Sequence, residues 1–270
     1  MHFNFHFTAV QVLWTLTFAA QLVLLVVLLG RDRIKRFPWF TLAIFMMALR
    51  LLASRLLFGR LPQVTLSEIF IVMADFSAIV GFLVVVEMGR RAFASVKRLY
   101  WFAGALAVLL VGVGILAAWG PWPARSTLTA DSSIAVLRLM QLAAQKFDML
   151  VDLLTVELGL LVVLLGRRWG AGWHTHTQRI VIGLSTASIT QLSVQAVWQF
   201  IARTAAPHSQ AEYERILGLR DKLFNANGAI YVAVLVWWIV CLWMDEPGAA
   251  AAEQPGETAP EAEYLSSEEV

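Results

Sequence analysis

Gln141, Gln145, Asp148, Asp152 and Thr155 follow one another at spacings of 4, 3, 4 and 3 residues. An α-helix turns once in about 3.6 residues, so this rhythm gathers all five on one face. Two carboxylates on successive turns can accept hydrogen bonds from a polar ligand, hold a cation or relay a proton. Ser188, Gln191, Gln195 and Gln199 make a second polar stripe at helical spacing. Arg50, Asp75, Glu157 and Tyr231 stand singly in apolar runs.

The solvent around these residues makes them informative. Of 270 residues, 59% are hydrophobic and 15% charged, with a mean hydropathy of +0.69. Soluble chains run at about 45–50% apolar and about 25% charged. Cys241 is the sole cysteine, which excludes a disulfide scaffold. Long runs rich in Leu, Val and Ala predict seven membrane helices over 9–30, 38–59, 67–89, 100–120, 134–166, 180–202 and 223–244. The expected fold is therefore an all-α, seven-transmembrane-helix bundle over residues 1–245. The first run has neither a basic n-region nor a small-residue cleavage site, so it reads as a retained span.

Basic residues orient the bundle. Arg31, Arg33, Lys35 and Arg36, then Arg90, Arg91, Lys97 and Arg98, then Arg167, Arg168 and Arg179 occupy alternate loops. The opposite loops hold Arg60, Arg125 and a group before the last span, Arg203, Arg215, Arg220 and Lys222. The positive-inside bias thus puts the N-terminus outside and the C-terminus in the cytoplasm. Abundant Arg and Ala fit the inner membrane of a GC-rich bacterium. From Asp245 onward there are eight acidic residues and no basic one, among Ala, Pro and Gly. Residues 246–270 are expected to be a disordered acidic tail, and a candidate docking segment for a protein partner.

The string LLVVLLGR occurs at 24–31 and again at 160–167, and Gly89-Arg90 ends the third span in the same way. The chain thus reads as three helical hairpins and a closing helix. In this register Asp75 and Asp152 each precede their glycine by fourteen residues, and Gln21 and Glu157 precede theirs by nine. At a rise of about 1.5 Å per residue, Arg50, Asp75, Asp152, Gln191, Gln195 and Tyr231 share a level roughly 18–24 Å from the inner interface. An Arg50–Asp75 ion pair is the natural neutralising contact. Charge at this depth carries a penalty of about 2.5–3.5 kcal/mol, so such groups face the interior and commonly serve function. Ser209 and Glu212 suggest a capping box that opens a short amphipathic helix toward Arg220, at the mouth of this level.

Several chemistries are excluded. No histidine lies mid-span to bind haem, and His174 and His176 read as surface loop residues. The last span has no central lysine for retinal, and no serine–histidine pair shares a depth. No metal, cofactor or nucleic acid is expected. The layout resembles the seven-helix input modules of bacterial sensors in arrangement alone. The leading expectation is a small receptor-like or accessory protein, more a binder than an enzyme. It would bind a small polar ligand, or a partner's membrane helix, through Arg50, Asp75, Asp148, Asp152, Gln191, Gln195 and Tyr231. A secondary transporter with Asp152 and Glu157 as proton relay is the alternative, and a membrane-embedded enzyme the third.

Overall fold

The computed structural model describes residues 8–94, 97–119, 122, 133–165, 175–205 and 209–245. All regular structure among them is helical: α1 (Ala9–Gly30), α2 (Pro38–Leu57), α3 (Gln63–Ala92), α4 (Arg98–Ala118), α5 (Ser133–Leu165), α6 (His176–Thr204) and α7 (Gln210–Trp243). Six of the seven are long and apolar enough to cross a membrane. The exception, α5, has length to spare at 33 residues, but every 18-residue stretch of it contains at least three of Arg138, Lys146, Asp148, Asp152 and Glu157. The acidic tail beyond Asp245 and the Gly166-Arg167 step of the repeat lie outside the described residues.

Local signals set the helix starts. Thr8 caps α1 in a reciprocal box with Gln11, Thr175 accepts from the Gln178 amide, and Ser209 accepts from the Glu212 amide. The Ser209 cap does not open a separate amphipathic helix, however. The chain from Gln210 to Trp243 is one continuous helix of 34 residues. No proline interrupts it, and Gly218 and Gly228 alone are too weak to break a helix.

Packing order closes α1, α2, α3, α5, α6 and α7 into a ring, each against the next, with α7 returning to α1. The expected hairpins α1–α2 and α5–α6 are formed, but the third is not. Instead of packing on α3, α4 lies outside the ring against α5. Its Gly112 lets the Leu150 and Leu154 side chains of α5 approach its backbone. The Lys146 ammonium donates to the Trp119 carbonyl (2.6 Å) at the C-terminus of α4 and lies over the Trp122 ring (4.5 Å). Outward faces such as Val26, Leu29, Phe45, Leu106, Leu110, Leu164 and Val240 are exposed and apolar, which suits contact with lipid.

The ring is packed at one end and open at the other. Buried residues of α1 run from Gln21 to Leu28, those of α2 from Phe40 to Ala48, and those of α7 from Val234 to Leu242. These stretches share the end that carries Arg31, Arg33 and Arg36. There Leu24, Leu28, Phe37, Phe40, Met88, Ile180, Leu235, Trp238 and Leu242 form the core. The Trp238 indole meets the Phe40 ring edge-to-face at 5.1 Å, pressed so closely on Gly183 that no side chain fits there. Glu87 of α3, also buried, accepts from the Phe40 amide (3.2 Å) and so caps α2, which has no cap from its own sequence. Arg91 pairs with Glu87 (3.4 Å) and covers the Phe37 ring. His176, expected in a surface loop, is fully buried at the first turn of α6, because that helix begins earlier than its apolar run.

Candidate functional site

Small residues bring the polar helices together. Gly159 of α5 faces Ser185 of α6 with no room for a Cβ between them. The Ser185 hydroxyl donates to the Thr155 carbonyl (3.0 Å). Close approach through small residues with an interhelical hydrogen bond is the usual way membrane helices associate. One turn further from the packed end, the Ser188 hydroxyl donates to Asp152 Oδ1 at 2.7 Å. Asp152 thus sits at the junction between the packed end and the open half.

The remaining polar side chains occupy two tiers. In the deeper tier, Gln21 Nε2 lies 3.4 Å from the Tyr231 hydroxyl, which itself meets Met47 Sδ at 3.0 Å. This contact ties α1, α2 and α7 at the level where α5 and α6 are joined by Asp152 and Ser188. Gln21 is only 1% exposed. About one turn outward, Asn227 Nδ2 donates to Gln191 Oε1 at 2.6 Å, joining α6 to α7. Arg50, Asp75 and Asp148 belong to this outer tier. Arg50 is exposed, Asp75 and Asp148 are half-buried, and Gln195 is half-buried a turn beyond Gln191.

The expected Arg50–Asp75 ion pair is not formed. Arg50 and Asp75 instead both act on Asp148, the guanidinium attracting that carboxylate and the second carboxylate opposing it. Arg50 is exposed and forms no ion pair within 4 Å among the described residues. Asp152 in turn feels Asp148. Asp148 thus links the Arg50 guanidinium and the Asp75 carboxylate on one side to Asp152 on the other.

A recess of about 290 Å³ lies between α1, α2 and α7, lined by Trp14, Thr17, Leu51, Asp221, Asn225 and Gly228 among others. Thr17, Leu51 and Gly228 each stand about one turn outward from Gln21, Met47 and Tyr231, so the deeper tier forms its floor.

Of the residues singled out by spacing, Asp75, Asp148, Asp152, Gln191, Gln195, Tyr231 and Arg50 all belong to the open half or its floor. Glu157 does not join them. Its carboxylate lies on the α4 side of α5, against Gly112, whereas Asp152 turns to α6. Neither Glu157 oxygen has a hydrogen-bond partner among the described residues. Gln141 and Gln145, on the open stretch of α5, are exposed. Met47, Ser188, Asn227 and Asp221 were not expected as site residues. A polar side chain inside an apolar run was the available signal for Ser188 and Asn227, whereas nothing marks Met47.

Helices of this length and apolarity, in a ring that exposes apolar faces, define a multi-pass membrane protein. No protein family, curated protein or solved structure matches the chain.

Proposed function

We propose that the protein is a receptor-like binder of a small, positively charged polar ligand, held in the open half of the bundle. One observation carries this reading: Asp148 feels both the Arg50 guanidinium and the Asp75 carboxylate, and itself acts on Asp152, so that these carboxylates outnumber the cation beside them above an apolar core. Such a cleft attracts cations and excludes anions. In this reading all seven helices span the inner membrane of a bacterium. The N-terminus and open half face outward, and the basic end faces the cytoplasm, as the positive-inside bias favours. Asp148 and Asp152 would be tolerated in α5 by turning into the ring, and Lys146 and Glu157 by turning to α4, rather than to lipid.

Asp148 and Asp75 would hold the ligand's cationic group, with Gln191, Gln195 and Asn227 orienting its polar remainder. Tyr231 and Gln21 would close the floor. The test is a thermal-shift screen of the purified full chain against small amines, amino acids and carboxylates. Amines should stabilise it in proportion to the logarithm of their concentration above Kd, by about 2.7 kcal/mol at a hundred times Kd. Asp148→Asn should abolish the shift, and Arg50→Ala should leave it intact or enlarge it. Stabilisation by carboxylates alone, or by no compound, removes this reading.

Transport is a second reading, favoured by the polar seam of α6. Gln178, Ser185 and Ser188 are buried in line between the basic end and the open half. Flux into proteoliposomes that Asp152→Asn eliminates would support it over simple binding.

A further inference from the structure

The displacement of α4 leaves a cleft where a hairpin partner would pack. It has a volume of about 580 Å³ and lies between α3, α4 and α5. Val85, Val86, Gly104, Ala105, Leu158 and Leu161 line it, with Phe93, Tyr100 and Trp101 at the basic end. A wall so apolar offers water too few partners to hold it. The stretch of α3 lining the cleft, Phe82 to Phe93, rises roughly 16 Å, about half of a hydrocarbon core roughly 30 Å thick. The cleft is therefore the length of one leaflet.

Exposed basic residues adjoin the lining at the end that carries Phe93, Tyr100 and Trp101. Arg90 follows Gly89 at the end of α3, Lys97 precedes Tyr100 at the start of α4, and both side chains are exposed. No acidic residue lies in the first turn of α4. Glu87, the nearest carboxylate in sequence, is turned inward to the Phe40 amide and Arg91.

We propose that this cleft is a binding site for one anionic phospholipid, its acyl chain lying between α3 and α4 and its phosphate held by Arg90 and Lys97. The site lies on the outer surface of the ring and is independent of the polar half enclosed within it. Native mass spectrometry of the full chain, equilibrated with equal phosphatidylglycerol and phosphatidylcholine, tests it. One phosphatidylglycerol should be retained and phosphatidylcholine lost. Arg90→Gln and Lys97→Gln should each weaken retention about five-fold. Gly104→Leu projects a side chain into the cleft, where no atom lies within 4 Å of its Cβ. It should expel the lipid without lowering the unfolding temperature of the delipidated protein. Equal retention of both lipids, retention of neither, or phosphatidylglycerol still held by Gly104→Leu would each overturn the proposal.

Discussion

Replacing Gly159 with alanine should separate α5 from α6 at the point that holds Asp152 in place. A Cβ at this position falls 2.7 Å from the Ser185 Cβ and closer still to its hydroxyl. Carbon atoms rest at about 3.5–4.0 Å, so the two backbones must part by about 1 Å or Ser185 must turn away. Ser185 is buried and already bonded to the Thr155 carbonyl, which leaves it nowhere to go. Overpacking of this kind costs about 1–3 kcal/mol. Loss of the Ser185–Thr155 and Ser188–Asp152 hydrogen bonds adds about 0.6 kcal/mol each, and the better helix propensity of alanine returns about 1 kcal/mol. The net expectation is a loss of roughly 1–3 kcal/mol. Equilibrium unfolding in mixed micelles measures it, with Gly104→Ala as control. At Gly104 the added carbon meets nothing within 4 Å, so that variant should be unchanged or slightly more stable. Ser185→Gly placed in the Gly159→Ala background should restore most of the loss. If Gly159→Ala matches Gly104→Ala, the close approach of α5 and α6 is refuted, and with it the positioning of Asp152.

Three further outcomes test other contacts. Trp238→Ala should cost about 3–5 kcal/mol in the same assay, because the indole is buried against Phe40 and Gly183. Glu87→Ala should lose about 1–3 kcal/mol by orphaning the Phe40 amide, whereas Glu87→Gln keeps an acceptor there and should lose less. Equal losses for the two would remove the capping role. Ser188→Ala should cost about 0.6–1.7 kcal/mol in wild-type protein and much less in Asp152→Ala, since the bond is then already gone.

The helices were legible because bilayer thickness and backbone hydrogen bonding leave little choice for long apolar runs. Six of the expected spans contain helices apolar enough to cross, and α5 escapes that description through the same charged residues that drew attention to it. Only the inner part of the polar stripe of α5 was legible from periodicity: Asp148, Asp152 and Thr155 are at least half-buried, whereas Gln141 and Gln145 are exposed. Pairing was not. Periodicity gives the face of a helix but not its neighbour, so Arg50 was matched to Asp75 by loop length when Asp148 of the more distant α5 lies within reach of both. The same limit hid the departure of α4 from α3, because beyond its first turn α4 is apolar on all sides and no face of it names a neighbour. Buried His176 was missed because α6 begins ahead of its apolar run, and the capping role of Glu87 because it depends on the start of another helix, which no local pattern records.

The gradient of packing along the ring is also a gradient of stiffness. Near Trp238 the helices are held by interdigitated apolar side chains that resist displacement from every direction. In the open half, cross-links such as Asn227–Gln191 and the small cluster around Met149, Leu153 and Leu192 do that work. Amide hydrogen exchange should therefore slow steadily from Leu51 toward Ile44 along α2, and from Asn225 toward Leu235 along α7. Tilting about the clamped end moves the far ends of the helices most, so the bundle yields more at Asp75 and Asp148 than at Glu87.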